Sequence, residues 1–313
     1  MPDEGIAKPS GPTSIHSALA RLYREPVAAH ASIKDIQHRT EQWARGFSLS
    51  TPEEIDNTRS GWCAAYTHHY MALETCQIAA DLICWLFLYD DCYGEGRECQ
   101  TMMEVGERHV QLLRTGEISQ SAEPFEQALL DLRERLEALA DARFLNRFAN
   151  SLAKFHSGWL FELPYRLAGK PPPMFCYQRM RPWSIGLHTL FDLIEIPQGP
   201  PFEPACDAFE ELRNSAALLC AYVNDMHSFA KERHAGDPIN LISVLTYERG
   251  FDVATAAEAV VDEYHAQYAA FENRCTAVVR AAETTDRERA VVQGLRAWVH
   301  GNAAWSGLCG RYH

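Results

Sequence analysis

The chain has 313 residues, 47% hydrophobic and 23% charged, enough for one large or two small domains and unlike a disordered or collagen-like composition. With 29 Lys and Arg against 42 Asp and Glu, the formal net charge is −13, so no binding to nucleic acid is expected, and an anionic ligand would need local cations or metal ions. The longest apolar runs, Leu82–Tyr89 and Ala216–Val223, have eight residues each, far short of the roughly 20 that span a bilayer.

In chain order, residues 1–13 hold Pro2, Pro9, Gly11 and Pro12 without an apolar core and read as a flexible tail rather than a signal peptide. Residues 14–313 then read as a single domain of a cytoplasmic protein, since no Gly/Ser-rich or strongly charged linker and no fixed-period repeat divides them. Apolar residues recur three and four apart from Ile78 to Leu88 and from Phe125 to Phe148, which predicts helices. Gly94 and Gly96 are expected to stop the segment that begins near Gly61. Pro164 and Pro171–Pro173 are expected to end a helix over Phe144–Tyr165. Pro200, Pro201 and Pro204 precede a long helix reaching Glu232, which Gly236 and Pro238 close. The fold class is all-α, with about ten helices. The ten cysteines include no Cys-x-x-Cys pair and are expected to be reduced and mostly buried. The histidines form no His-x-x-x-His pair, and Asp262-x-x-His265 is a single pair where a dinuclear iron site in a bundle needs two.

The run Leu82–Tyr89 leads directly into Asp90-Asp91. Carboxylates at a helix C-terminus face the negative end of the macrodipole, so the pair is more comfortable with a cation bound. Neighbours on a helix diverge by about 100°, so only one can point squarely along the apolar slot, and Asp90 is favoured. Glu95, just past Gly94, is a candidate second acid. Taken alone, the pair reads first as a solvated helix end. Further on, Asn224, Ser228 and Glu232 follow at steps of four, within an arc of about 80° and along about 12 Å of one helix face. An amide oxygen, a hydroxyl and a carboxylate are hard donors suited to Mg2+ that keeps waters or phosphates in its shell. Lys231 returns within about 20° of Asn224, where it suits a metal-bound anion. Singly, these are ordinary surface residues.

Taken together, Asp90-Asp91-x-x-x-Glu95 and Asn224-Asp225-x-x-Ser228-x-x-Lys231-Glu232, about 130 residues apart, resemble the two metal motifs of microbial class I terpene synthases. The likeness extends to Arg181-Pro182-Trp183-Ser184-Ile185-Gly186 and to Trp298, Gly301-Asn302, Trp305-Ser306 and Arg311-Tyr312 near the C-terminus. The resemblance implies a single-domain α-helical barrel enclosing an apolar active-site cavity, with three Mg2+ ions and a prenyl diphosphate substrate. Asp90, with Asp91 and Glu95 as candidates, would hold two ions, and Asn224, Ser228 and Glu232 the third. Arg181, Lys231, Arg311 and Tyr312 would donate to the diphosphate, with Ser184 and Ile185 as linker and helix-break residues. It further implies a monomer or homodimer that cyclises a linear prenyl diphosphate, farnesyl diphosphate being the family's commonest substrate. A chain-elongating isoprenyl diphosphate synthase normally carries a second Asp-rich motif in place of the Asn/Ser/Glu triad, and a non-catalytic isoprenoid-binding protein would be expected to have lost metal ligands. Proline disfavours helical backbone at the residue before it, so Pro182 makes Arg179 a possible substitute for Arg181. Phe87, one turn before Asp90, and Trp298 and Trp305, seven apart on one face, are candidates for the pocket lining, while core packing accounts for most other aromatics. Trp43 and Phe47 admit both readings.

Overall fold

The computed structural model describes residues 13–22, 27–94, 98–198, 207–281 and 284–308. Among them there is no strand, and fourteen α-helices follow one another. A first group comprises α1 (Thr13–Leu19), α2 (Ile33–Gly46), α3 (Pro52–Thr58), α4 (Ser60–Thr67), α5 (Leu73–Tyr89), α6 (Cys99–Thr115) and α7 (Pro124–Glu137). The second comprises α8 (Ala142–Ala168), α9 (Met174–Ser184), α10 (Leu187–Leu193), α11 (Asp207–Ala235), α12 (Leu241–Arg249), α13 (Val253–Arg280) and α14 (Asp286–Ser306). The expected tail lies outside the described residues except for Thr13, which opens α1.

More helices occur than the punctuation suggested because local caps divide the longer segments. Thr51 accepts from the Glu54 N–H and closes a capping box ahead of Pro52, a strong start signal. Asp141 caps α8 through the Phe144 N–H, which splits the periodic stretch Phe125–Phe148 in two. The segment from Gly61 likewise divides into α4 and α5. Pro164 does not end a helix: α8 runs through it to Ala168, and Gly169 supplies the left-handed stop with φ 60°. Pro182 also lies inside its helix, and the Ile185 N–H still reaches the Arg181 carbonyl at 3.1 Å. With the end of α9 two residues away, the proline removes only the bond that would have gone back to Gln178.

Helix α5 is apolar nearly all round, and thirteen of its 17 residues are buried, as befits a helix packed on every side. It contacts α2, α3, α4, α7 and α10, while α11 contacts α9, α12, α13 and α14, and α14 returns to α4. One hydrophobic cluster runs through these elements from Ala18 to Trp305. Trp43 packs edge-on against Phe47 at 5.4 Å and donates to Asp131, away from the cavity described below. Cys63, Cys76, Cys84, Cys220 and Cys275 are buried, whereas Cys92 and Cys99 are exposed because they lie past the apolar end of α5. No helix among the described residues is long and apolar enough to cross a membrane.

Among the described residues four imidazoles are buried in this core, and three of them, His68, His109 and His156, are the most strongly shifted. His68 accepts the Trp298 indole N–H at 3.2 Å and lies 3.0 Å from the Thr67 hydroxyl, so its proton is on Nδ1. Burial lowers the pKa of His68, His109 and His156 from 6.5 to about 3. The unfolded chain therefore takes up protons below about pH 6.5 that the folded chain refuses until about pH 3. Stability is expected to fall as pH drops below 6.5, by roughly 1.4 kcal/mol per pH unit for each imidazole, less a similar amount of opposite sign from Glu232, whose carboxyl is raised into this range. Melting temperatures measured between pH 7.5 and 5.5 check this, and His68→Gln should flatten the slope. A flat profile would contradict it.

Candidate active site

A cavity opens between α4, α5, α8, α9, α10, α11 and α14, and with the solvent-filled space at its mouth included it spans about 1070 Å³. All twelve of the sequence-derived site residues that fall among the described ones line it: Phe87, Asp90, Asp91, Arg181, Ser184, Ile185, Asn224, Ser228, Lys231, Glu232, Trp298 and Trp305. Glu95, Arg311 and Tyr312 lie outside the described residues. The lining is polarised. Asp91 and Lys231 are exposed and Asp90 half-buried, whereas Leu190, Trp298 and Trp305 are at most 2% exposed, so charge gathers at the mouth and apolar surface beneath it.

At its end α5 widens into a π-helical turn over Asp90–Gly94, a feature frequent at functional sites. This corrects the expectation that only one aspartate can face the slot. The 100° divergence holds for an α-helix, and in the wider turn both Asp90 and Asp91 line the cavity. The turn closes tightly because Gly94 has no side chain: a Cβ there would lie 2.1 Å from Asp90 Oδ1 and 2.8 Å from Trp159. Across the mouth, Lys231 Nζ donates to Asp91 Oδ1 at 3.3 Å and links the two motifs.

On α11 the four-residue spacing puts Asn224, Ser228 and Glu232 on the wall of the same cavity. Ser228 donates its hydroxyl to the Asn224 carbonyl at 2.8 Å, and Asn240 Nδ2 donates to Glu232 Oε2 at 2.8 Å. Burial, reinforced by Asp225, pushes the Glu232 carboxyl up to about 8. Arg181 is buried and stays on the cavity wall despite Pro182. Its Nη2 donates to Asn224 Oδ1 at 3.1 Å and to Asp225 Oδ1 at 2.8 Å. Arg179 instead is exposed and lies over the Phe175 ring at 5.0 Å, which removes it as a substitute. The helix break after Ile185 rests on Gly186, whose φ of 77° is the left-handed region that other residues avoid.

Three groups escaped sequence reading. Asp225 is fully buried and accepts from the Tyr177 hydroxyl at 2.6 Å, the Leu241 N–H at 2.6 Å and Arg181. Arg166 lines the cavity, donating to the Gly94 carbonyl at 3.0 Å and to Asp237 at 3.1 Å and pairing with Glu162 at 2.9 Å. Asp237 lines it too. The signal for Asp225 was present inside the second motif, whereas Arg166 and Asp237 belong to no periodic pattern.

The donor set fits a hard divalent ion. Asn224, Ser228 and Glu232 offer oxygen on successive turns of α11, facing the same cavity as two aspartates. Among the described residues no three His, Cys, Asp or Glu side chains form a ready-made cage, so an ion here would complete its shell with water and ligand oxygens. Phe87 and Trp305 stack with ring centroids 5.6 Å apart and planes 13° off parallel, and Trp305 Nε1 donates to the Arg59 carbonyl at 3.0 Å. With their polar edges satisfied elsewhere, Trp298 and Trp305 contribute apolar, π-rich surface to the cavity.

A sequence profile described as "Terpene synthase family 2, C-terminal metal binding" matches residues 81–270. The chain is 31% identical over 299 residues to (+)-T-muurolol synthase ((2E,6E)-farnesyl diphosphate cyclizing) of Roseiflexus castenholzii, covering 91% of this chain and 90% of that one. It is 27% identical to (+)-eremophilene synthase of Sorangium cellulosum, covering 93% and 92% of the two chains. Among solved structures, germacradien-4-ol synthase of Streptomyces citricolor superposes with a TM-score of 0.75 at 21% identity, covering 92% of this chain and 98% of that one.

The two arginines of α9 should separate in function. Arg181→Ala is expected to lower turnover by ~100-fold or more, the loss of roughly 2.7 kcal/mol of transition-state stabilisation, while Arg179→Ala stays within about threefold of the parent. Steady-state kinetics on both variants checks the ranking, and its reversal would return Arg179 to the site.

Proposed function

The chain belongs to the microbial class I terpene synthases, and from that premise we propose that it is a Mg2+-dependent terpene cyclase acting on a linear prenyl diphosphate, farnesyl diphosphate. The observation that carries this reading is the single cavity lined at once by both oxygen-rich motifs, by Arg181 and Lys231, and by the buried faces of Trp298 and Trp305. The named relative from Roseiflexus castenholzii, which cyclises farnesyl diphosphate, supports the C15 substrate.

In this reading Asp90 and Asp91, with Glu95, would hold two Mg2+ ions, and Asn224, Ser228 and Glu232 a third. When bound, the ions supply Lewis-acid stabilisation of the departing diphosphate. Arg181 and Lys231 would donate hydrogen bonds to the same oxygens, with Arg311 and Tyr312 as further donors, and their cationic groups favour the charge that develops as the carbon–oxygen bond breaks. The apolar wall of Ile83, Leu86, Phe155, Leu187 and Leu190 excludes water from the carbocation left behind. The π-faces of Phe87, Trp298 and Trp305 attract that cation by roughly 0.5–2 kcal/mol each. Product shape then follows from how this wall folds the chain before deprotonation or water capture ends the reaction. The oxygen triad on α11, standing where a chain-elongating enzyme carries a second Asp-rich motif, argues against elongation, and the intact donor set argues against a non-catalytic binding protein.

Purified protein incubated with Mg2+ and C10, C15 or C20 diphosphates should release cyclic C15 products, and a chelator should abolish them. Asp90→Asn or Asn224→Leu should each reduce kcat/KM by at least ~100-fold with helicity retained by circular dichroism. Turnover that survives chelation would overturn the reading.

The Phe87–Trp305 stack generates a separate expectation. Trp305→Ala opens space and removes a π-face, so the product spectrum should broaden toward early-quenched acyclic or monocyclic compounds before total turnover fails. Gas chromatography of products from the soluble fraction checks this. An unchanged product ratio beside a lower melting temperature would make the stack a packing feature only.

A further inference from the structure

The turn that carries Asp90 and Asp91 leans on a polar cluster inside an aromatic shell. Tyr89, next to Asp90 in the chain, is fully buried, and its ring stacks on Trp85 at 4.2 Å. Its hydroxyl lies 2.8 Å from His109 Nδ1 on α6 and 3.0 Å from His156 Nε2 on α8. A hydroxyl has one proton, so it donates to one imidazole and accepts from the other. Either way one ring N–H and one ring lone pair are left over. They fall on His109 Nε2 and His156 Nδ1, which have no hydrogen-bond partner among the described residues.

As a source of stability the cluster is a poor choice. Replacing mutually bonded buried groups by apolar ones of similar shape is often neutral or favourable, and here two ring nitrogens are orphaned besides. What the cluster supplies is direction. Apolar contact between rings tolerates a small rotation of a helix end, whereas a hydroxyl bonded to two other helices does not. Tyr89 and Asp90 adjoin where α5 passes into the π-helical turn, so fixing one sets the angle at which the next residues leave the axis. The same shell meets the far end of the turn. Trp159 lies 5.1 Å from Tyr89 and 5.2 Å from His156 between ring centroids, and its ring closes the space beside Gly94.

We propose that Tyr89, held between His109 and His156, is a positioning residue that sets the register of the Asp90–Gly94 turn and so aims its two aspartates into the cavity. The inference rests on the metal-dependent reading above. Groups that orient metal ligands without touching the ion typically contribute 10–100-fold to its affinity. The triad would do so from behind the helix, through the backbone rather than through a side chain of the site.

The test compares the full-length parent with the Tyr89→Phe/His109→Leu/His156→Leu variant, using Mn2+ with inorganic pyrophosphate as probe and reading Mn2+ binding by electron paramagnetic resonance. The variant is expected to melt at or above the parent temperature and to bind Mn2+ ~10-fold or more weakly in the presence of pyrophosphate. Affinity equal to the parent's would overturn the proposal. Failure of the parent itself to bind Mn2+ with pyrophosphate would overturn the functional reading instead, so the two failures are distinguishable. If the triple variant does not fold, Tyr89→Phe alone decides on its folded fraction: weakened binding supports the triad's role, and parental binding refutes it.

Discussion

Asp225 is a carboxylate taken wholly out of water in the middle of a helix, and such a charge is tolerated only when it is paired and its lone pairs are filled. Arg181 from α9, the Tyr177 hydroxyl from α9 and the Leu241 N–H from α12 do this together, so the anion joins three helices at one point. Removing one partner of a buried ion pair typically costs 3–5 kcal/mol, which makes the junction hard to rearrange. The consequences spread along α11. Arg181, once held, reaches the Asn224 amide oxygen. The Asn240 side chain donates both to the Asp225 carbonyl and to Glu232. Two of the three oxygens of the triad are thus oriented by contacts that lead back to the same residue, Asn224 through the Asp225 carboxylate and Glu232 through its main-chain carbonyl.

The remaining pairing at the mouth is of another kind. Lys231 and Asp91 are 46% and 35% exposed in their side chains, and an ion pair so open to solvent contributes little to stability. It can part when a ligand arrives, whereas Arg181 cannot leave Asp225 without stranding the anion. Arg166 resembles Arg181 in being committed: Glu162, Asp237 and the Gly94 carbonyl absorb its donors. Among the described residues the site therefore combines fixed cations within the wall, Arg166 and Arg181, with an exchangeable one at its lip, Lys231.

How much of this was legible in the chain depended on whether the information is local. The 3.6-residue period put Asn224, Ser228 and Glu232 on one face, and α11 delivers them there. Glycine stops worked where backbone conformation alone decides, as at Gly236 after α11. Prolines misled at Pro164 and Pro182 because a helix packed on its neighbours survives the loss of one hydrogen bond. The widening after Tyr89 was invisible because no local residue pattern marks a π-helical turn, and the ring that lies against it, Trp159 beside Gly94, is distant in sequence. Arg166 was missed for the same reason. Its partners at positions 94 and 237 become neighbours only in the folded chain, while Asp225 stands inside the second motif, where the four-residue spacing marks Asn224, Ser228 and Glu232 instead.

The anchoring of Trp305 reaches beyond the cavity. Its indole N–H ends on the Arg59 carbonyl, which also receives the Cys63 N–H at 3.0 Å, and Arg59 is an exposed residue in the left-handed region with φ 48° between α3 and α4. A surface turn thereby anchors a ring on the inner wall, and Cys63, one turn along, lines the same wall. Substitutions at this outer corner can remould the mould in which a substrate chain is folded while every residue that touches it stays the same. Diversification of products in such a scaffold has a route through its exterior, open to neutral drift at positions that no inspection of the pocket would single out.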